Sequence, residues 1–225
     1  MHIDFLINDV DLNDQKIKEL VPQIISCNNV NSITVPHYLI KIIKSLVPSE
    51  LEISCLVDYP IGVSDLKTRQ FAVDQALKSN VSCVDVVMPQ NFASNRKYDK
   101  IREDLKNITD LAKDKNAKVR YLLEYRFFDH NCLKKICDIF ESFEVKYAFP
   151  SSGYFIDNLA DNIIASIFLY KNSKDLNIMC SGNIWNDHHF ETLLKSGLFG
   201  FRTSSTAVLE NFLKFNNSKQ KNNGV

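Results

Sequence analysis

Residues 176–205, LNIMCSGNIWNDHHFETLLKSGLFGFRTSS, contain one complete unit of the pattern that runs through this chain. The apolar run Leu176–Cys180 is followed by a Ser/Gly turn. Asn186 and Asp187 then cap a helical stretch, which leads to a second apolar run, Leu198–Arg202. Apolar runs this short are typical of parallel strands buried on both faces. The stretch therefore predicts a strand, a helix and a second, parallel strand.

The same alternation extends over the whole chain and predicts eight strands, each followed by a helix. The predicted strands are Ile3–Ile7, Ser32–Val35, Glu52–Val57, Cys83–Val87, Val119–Glu124, Val145–Phe149, Leu176–Cys180 and Leu198–Arg202. Eight such units within residues 1–215 predict an α/β fold, a single (β/α)8 TIM barrel. A doubly wound open sheet is the alternative, but it normally has fewer strands and a Gly-rich first turn, which this chain lacks. The polar residues 216–225 are predicted to form a disordered tail.

The charges of the 225-residue chain balance, with 27 acidic and 27 basic residues. This balance creates no overall field for nucleic acid or an anionic membrane, and no apolar run has the length of a transmembrane helix. The six cysteines include no CxxC pair, which favours buried, reduced thiols in a cytoplasmic protein. Neither cysteines nor histidines have the spacing of metal ligands, so no metal or cofactor is predicted. A homodimer is compatible with the sequence.

Each of the last three predicted strands ends in a loop rich in serine or glycine, at residues 151–153, 181–183 and 203–205. Small residues let backbone N–H groups approach an anion, and barrels often hold phosphate at the loops after strands seven and eight. Arg202, directly before the last loop, adds a positive charge for such an anion. The alternative is that serine and glycine only form the turns. The spacing alone gives both interpretations similar weight.

Two carboxylates stand out on the predicted strands. Asp85 interrupts the apolar strand Cys83–Val87, and strand alternation points it into the barrel. A buried carboxylate needs a partner or loses its charge, so Asp85 is a candidate for proton transfer, with a hydrogen-bonded structural role as the alternative. Glu124 ends the fifth predicted strand two residues before Arg126, where a structural ion pair is the simpler interpretation.

At its strand ends the chain resembles the deoxyribose-phosphate aldolase family. Residues 56–62, LVDYPIG, are similar to the family's V-V-G-F-P-L-G, and residues 84–87, VDVV, match its V-D-V-V. Residues 147–154, YAFPSSGY, lie where the family has F-V-K-T-S-T-G-F. Residues 178–185, IMCSGNIW, correspond to its V-K-A-S-G-G-I-R, and residues 196–205, SGLFGFRTSS, to A-G-A-T-R-I-G-T-S-S. The order of these motifs implies the same barrel fold.

The residues that carry the family's chemistry are replaced. In the family, the lysine of K-T-S-T-G-F forms a Schiff base with the substrate, and the lysine of V-K-A-S-G-G perturbs it. The corresponding positions hold Phe149 and Met179, which form no imine and carry no charge. Lys146, the nearest alternative amine, points outward by strand alternation. The second glycine of S-G-G is Asn183, and the glycine of I-G-T-S-S is Arg202.

The family's carboxylates and much of its phosphate cradle are retained. The retained positions are Asp4, Asp85 and Glu124, as acid/base candidates, and Gly153, Gly182, Ser204 and Ser205, as phosphate-binding candidates. The first interpretation is therefore a pseudoenzyme that binds a small anionic, phosphorylated metabolite. One alternative is a lyase or isomerase with altered acid/base chemistry at Asp85. The others are an active aldolase, which splits 2-deoxyribose 5-phosphate into glyceraldehyde 3-phosphate and acetaldehyde, and a purely structural protein.

Overall fold

A computed structural model describes residues 1–155, 158–183 and 185–222, with side chains to residue 219, and its strands form one closed parallel barrel. The strands lie side by side in sequence order, and the first pairs with the last. They are β1, His2–Leu6; β2, Ser32–Val35; β3, Glu52–Val57; β4, Cys83–Val87; β5, Lys118–Leu122; β6, Tyr147–Phe149; β7, Asn177–Ser181; and β8, Gly200–Thr203.

Helices surround the barrel and connect successive strands. They are α1, Asp14–Ser26; α2, Ile40–Lys44; α3, Leu66–Lys78; α4, Gln90–Ser94; α5, Tyr98–Asp114; α6, His130–Ser142; α7, Leu159–Lys171; α8, Asp187–Lys195; and α9, Thr206–Asn222. Short 3-10 turns, His37–Leu39 and Tyr125–Phe127, follow β2 and β5. The predicted cap at Asn186 is confirmed, because its side chain accepts a hydrogen bond from the His189 amide at 2.9 Å. Asn13 caps α1 in the same way and accepts from the Lys16 amide at 3.0 Å.

The predicted single (β/α)8 TIM barrel is confirmed. The strands Ser32–Val35, Glu52–Val57 and Cys83–Val87 have their predicted bounds, and every other strand end moves by no more than two residues. The agreement follows from the short apolar runs, since parallel strands buried on both faces leave a continuous hydrophobic signal.

Strand alternation divides the side chains into an outer and an inner set. On β4, Val84 and Val86 face the helices and belong to the main hydrophobic core, whereas Asp85 and Val87 face the barrel interior. The main core therefore lies between strands and helices. The interior has its own, separate packing, and it is there that the candidate site must be sought.

The last helix continues beyond the predicted end of the barrel domain. The polar composition predicts disorder from residue 216, but α9 extends to Asn222, and residues 223–225 lie outside the described part of the chain. Phe215 packs on Phe190 of α8, with ring centroids 5.7 Å apart, and Lys219 pairs with Glu191 at 2.8 Å. These contacts with α8 anchor residues whose own composition indicates no structure. No helix among the described residues is long and apolar enough to cross a membrane.

Candidate functional site

Four charged side chains meet inside the barrel. Asp4 on β1 and Arg202 on β8 are register partners, as are Asp85 on β4 and Arg120 on β5. The Nε of Arg202 donates to Asp4 Oδ2 at 2.5 Å, and its Nη2 donates to Asp85 Oδ2. The Nε of Arg120 donates to Asp85 Oδ1 at 2.6 Å, and its Nη2 donates to Asp4 Oδ1 at 3.1 Å. Each arginine therefore bridges both carboxylates, and we call these four side chains the interior charge cluster.

Hydroxyl groups on β2 and β3 add further hydrogen bonds to the two carboxylates. Ser32 and Thr34 donate to Asp4, and Ser54 donates to Asp85 at 2.5 Å. The Thr34 hydroxyl also accepts from both arginines, at 2.8 and 2.9 Å. All of these side chains are buried. Charges are tolerated at such depth only when they are paired and hydrogen-bonded, and this cluster meets both conditions.

The electrostatics of the cluster favour its charged form. Burial by itself would raise the pKa of Asp4, but the charges of Arg120 and Arg202 outweigh burial and hold this pKa well below its usual range. Burial likewise acts to lower the pKa of Arg120, but the charges of Asp4 and Asp85 raise it above its ordinary value. Asp4 and Arg120 therefore stay ionised at neutral pH.

Phe149 and Met179, which correspond to the family's two lysines in the motif resemblance, lie next to this cluster. The guanidinium carbon of Arg202 lies 4.0 Å from the centroid of the Phe149 ring, and that of Arg120 lies 5.5 Å from it. Such contacts are cation–π interactions. Arg202 Nη1 has no hydrogen-bond partner among the described residues, as expected for a group that packs on a ring. The ring belongs to an inward apolar cluster, in which all side chains are fully buried: Val87, Leu122, Phe149 and Met179.

Tyr59 crosses the mouth of the barrel above the inward apolar cluster. Its hydroxyl accepts from Asn8 Nδ2 at 3.1 Å and donates to the carbonyl oxygen of Ser152 at 3.4 Å. Its ring packs against the apolar cluster. Burial raises the pKa of Tyr59 to about 12, so the phenol keeps its proton and its ability to donate. The side chain thus connects the loop after β1 with the loop after β6.

Glu124 lies apart from the interior charge cluster. Its Oε1 accepts from the Ser152 amide at 2.7 Å, and its Oε2 accepts from the Ser151 hydroxyl at 3.5 Å. The carboxylate is buried and holds the loop after β6 in place. Of the three acid/base candidates, the fold therefore brings Asp4 and Asp85 together and leaves Glu124 in a separate environment.

Asn183 links the loops that follow β7 and β8. Its side-chain oxygen accepts from the Ser204 amide at 2.8 Å and from the Thr203 hydroxyl at 3.1 Å. The amide of Ser204 lies just before α9, a position where backbone N–H groups favour an anion. Within the candidate phosphate cradle, the Ser204 amide therefore donates to the carboxamide oxygen of Asn183.

The two retained glycines both have conformational reasons to be glycine. Gly153 has φ of +78°, which is in the left-handed region. A Cβ on Gly182 would lie 2.7 Å from Leu159 Cδ1. The carbonyl oxygen of Gly182 accepts from Trp185 Nε1 at 2.8 Å, and this indole stacks on Phe190. The retention of these glycines is therefore explained by packing and backbone geometry, whether or not a ligand binds beside them.

The guanidinium of Arg202 does not lie at the candidate phosphate-binding loop that follows it in sequence. Its guanidinium is inside the barrel, in the interior charge cluster, because alternation along β8 turns residue 202 inward, whereas Ser204 and Ser205 stand before α9. Arg120 and Tyr59 were not among the candidates from sequence. A signal for Arg120 was present, because it is a charged residue inside the apolar strand VRYLLE, as Asp85 is in its own strand.

The described residues contain no group of three or more His, Cys, Asp or Glu side chains that is arranged to hold a metal ion. Three of the buried cysteines supply no activated thiol either. Burial raises the pKa of Cys55, Cys83 and Cys137 to about 12. The prediction of buried thiols is confirmed for five of the six cysteines, and Cys27 is half-buried.

Comparison with known proteins connects this barrel to one group of enzymes. No protein-family model matches the chain. The chain is 20% identical over 219 residues to a deoxyribose-phosphate aldolase from Clostridium novyi, covering 96% of this chain and 97% of that protein. It is 23% identical over 186 residues to the deoxyribose-phosphate aldolase of Clostridioides difficile, covering 81% of this chain and 83% of that protein.

Solved structures show the same architecture. The aldolase QR15 superposes with a TM-score of 0.86 at 19% identity, covering 96% of each chain. A tetrameric deoxyribose phosphate aldolase from Aeropyrum pernix superposes with a TM-score of 0.80 at 16% identity, covering 96% of this chain and 90% of that one. The resemblance seen in the motifs is therefore confirmed: the chain is a divergent relative of the deoxyribose-phosphate aldolases, similar to them in sequence along most of its length and in its barrel fold.

Proposed function

We propose that this chain is an aldolase-like barrel that binds a small anionic, phosphorylated metabolite and forms no Schiff base with it. One observation carries the proposal. The Arg202 guanidinium packs on the Phe149 ring while it pairs with Asp4 and Asp85, so a buried cation and an aromatic ring stand where the family's imine would form.

The absence of a suitable amine among the side chains that the structure describes supports the loss of aldol cleavage. Imine formation needs a neutral lysine that reaches the substrate carbonyl. Phe149 and Met179 are fully buried and apolar. Lys146 faces outward, half exposed, and its Nζ lies 4.0 Å from Asp175. Removal of a covalent nucleophile generally lowers turnover by several orders of magnitude. An active deoxyribose-phosphate aldolase is therefore the less supported alternative.

The contacts of Asp85 weigh against a new acid/base enzyme. Its two oxygens accept from Ser54, Arg120 and Arg202, and the side chain is fully buried. A general base needs a lone pair within reach of the substrate proton. The lone pairs of Asp85 already accept hydrogen bonds from two permanent cations and a hydroxyl group. A structural role is therefore favoured for this residue.

The ligand-binding part of the proposal rests on the polar loops after β7 and β8. Asn183 uses its side-chain oxygen for Ser204 and Thr203, which leaves its Nδ2 group to donate elsewhere. The hydroxyl of Ser204 and the positive end of α9 lie beside it. These groups favour an anion, and the absence of a fixed cation at the described residues of these two loops favours weak rather than tight binding. The buried thiols fit a reducing compartment, so we place the protein in the cytoplasm.

Thermal unfolding with inorganic phosphate and with 2-deoxyribose 5-phosphate tests this proposal. A ligand at about ten times its Kd stabilises the folded state by ~1.4 kcal/mol, which is readily visible as a rise in Tm. We expect a rise for the wild type and for Ser49→Asp, which adds the same charge to an exposed site before β3. Ser204→Asp, which adds it beside α9, should abolish the rise. A wild type that responds to neither ligand, or a Ser204→Asp variant that responds fully, would overturn the proposal.

A further inference from the structure

Six strands each contribute an apolar side chain to a layer inside the barrel, directly above the interior charge cluster. On β1, β3, β4 and β5 an apolar residue follows an inward polar residue by two positions, as Leu6 follows Asp4, so it points inward as well. Phe149 on β6 and Met179 on β7 complete the layer. These six side chains, which we call the apolar layer, are Leu6, Leu56, Val87, Leu122, Phe149 and Met179.

Solvent reaches the apolar layer on one side. Leu6 is 7% exposed and Leu56 is 9% exposed, whereas the other four members are fully buried, with Tyr59 packed against them. Leu6 and Leu56 also belong neither to the main hydrophobic core nor to the inward apolar cluster. These two leucines therefore line the part of the barrel mouth that a ligand can reach.

This accessible side of the layer adjoins the loop after β8. The first strand pairs with the last, and Phe5 on β1 is the register partner of Thr203 on β8. The residues that follow them, Leu6 and Ser204, therefore lie side by side on neighbouring strands, whose backbones are about 5 Å apart. An anion bound beside Ser204 thus has the inward side chain of Leu6 as its apolar neighbour.

Polar groups around the mouth are already hydrogen-bonded to one another. The Tyr59 hydroxyl accepts from Asn8 and donates to the carbonyl oxygen of Ser152. The Ser181 hydroxyl donates to the carbonyl oxygen of Ser151 at 3.2 Å. Hydroxyl groups of a sugar placed over the apolar layer would lose their hydrogen bonds with water and gain none from these six side chains. A hydrocarbon chain in the same place loses no hydrogen bond and leaves water, which favours its binding.

We propose that the ligand of this barrel is a phosphate monoester whose organic group is a hydrocarbon chain without hydroxyl groups. This class of ligand rests on the anion site proposed above for the loops after β7 and β8, and it specifies the organic group that the anion carries. The phosphate binds beside Ser204, and the hydrocarbon chain lies over Leu6 and Leu56. Phe149 and Met179 make the layer apolar at two positions where the motif resemblance implies lysine.

Isothermal titration calorimetry of the wild type with methyl phosphate and n-butyl phosphate tests this proposal. Each methylene group that leaves water strengthens binding about 4-fold. The butyl compound has three more methylene groups than the methyl compound, so it should bind at least ~10-fold more tightly. 2-Deoxyribose 5-phosphate should bind within ~3-fold of methyl phosphate, because its hydroxyl groups gain no partners on the apolar layer.

Variants locate the hydrocarbon chain and the phosphate separately. Leu6→Thr should lower the ratio of butyl to methyl affinity at least ~3-fold, because it removes apolar surface from the layer. Leu77→Thr is the matched control, because Leu77 is 3% exposed and lies in the main hydrophobic core on α3, outside the barrel. It should keep the wild-type ratio, which is measured within each folded variant and so does not depend on its stability. Ser204→Asp should abolish the binding of n-butyl phosphate.

Failure of the anion site and failure of the hydrocarbon proposal give different results. If none of the three phosphate compounds binds, the anion site is wrong and the hydrocarbon proposal is overturned with it. If methyl phosphate binds and n-butyl phosphate binds no more tightly, or 2-deoxyribose 5-phosphate binds most tightly, the anion site stands and the hydrocarbon proposal is overturned. Binding of n-butyl phosphate that persists in Ser204→Asp would place the chain elsewhere and also overturn it.

Discussion

The guanidinium carbon of Arg202 lies 4.0 Å from the centroid of the Phe149 ring. In the motif resemblance, Arg202 corresponds to a glycine of the family and Phe149 to its imine-forming lysine. The two replacements fit each other. The aromatic face accepts a cation, while Asp4 and Asp85 neutralise that cation from the other side. Where the family resemblance implies a lysine that forms a transient imine, this chain has an aromatic ring beside a permanent cation that is paired with two carboxylates.

Replacing the Arg202 guanidinium should destabilise the fold strongly. Arg202→Met leaves two buried carboxylates with a single cation, and breaking a buried pair in this way costs ~3–5 kcal/mol. Denaturant unfolding measures the loss. Arg96→Met is the control, because Arg96 pairs with Asp129 at an exposed site, and it should change stability little. Equal losses of unfolding free energy in both variants would mean that the interior charge cluster contributes no more to stability than an exposed ion pair.

The stability of the protein should fall at acid pH because of Asp4. Its folded pKa is depressed, so its contribution is complete above the unfolded carboxyl pKa of about 4 and is lost as pH falls toward the folded pKa. Unfolding free energies measured from pH 7 downward should show this decline. In Arg202→Met the folded pKa of Asp4 should move back toward its ordinary value, so less of the stability should depend on pH. If the unfolding free energies of the two proteins fall equally as the pH is lowered, Asp4 is not the source of the decline.

Borohydride trapping should detect no imine. With 2-deoxyribose 5-phosphate or acetaldehyde, the intact mass of the wild type should remain unchanged, because no lysine is among the buried residues that the structure describes, and Lys146, the nearest lysine to residue 149 in sequence, is half exposed beside Asp175. The paired exchange Phe149→Lys/Arg202→Gly introduces an amine and removes the nearer of the two guanidinium groups, and it should give a trapped adduct. A trapped adduct on the wild-type protein would show that another lysine forms the imine, and the active-aldolase alternative would then come first.

Substitutions at Asn183 should tune anion binding in opposite directions. Asn183→Gly frees the Ser204 amide and the Thr203 hydroxyl, so the Tm rise with phosphate should increase, at a loss of about 1 kcal/mol for the broken hydrogen bonds. Asn183→Asp keeps an acceptor but adds negative charge, so the rise should disappear. If both variants respond as the wild type does, the anion does not bind at this loop.

The thiols should be almost unreactive in the native state. Burial raises the pKa of Cys55, Cys83 and Cys137 to about 12, and only the thiolate attacks a disulfide reagent. At pH 8 we expect reaction at no more than the half-buried Cys27, and at all six cysteines in denaturant. Cys27→Ser should remove the native reaction. Rapid native labelling of several thiols would show that the barrel opens far more readily than its packing indicates.

Sequence by itself determined the barrel, each end of every strand to within two residues, and the inward direction of Asp85. These features are local, because an apolar run and the two-residue period of side-chain direction can be recognised in one strand without knowledge of any other strand. The inward direction of Asp85 was therefore predictable, and so in principle was that of Arg120. The helical structure of residues 216–222 was not predictable from the sequence, because it depends on contacts with α8.

Tertiary structure decided which inward groups meet. Asp4 and Arg202 are 198 residues apart in sequence, and their contact exists only because β1 closes on β8. The stagger between strands then brings both arginines within reach of both carboxylates, and it places Asn183 of one loop on Ser204 of the next. Alternation specifies that a side chain points inward, but the closure and shear of the barrel specify its partner, and the partner determines whether a carboxylate can exchange a proton or is held in a permanent ion pair.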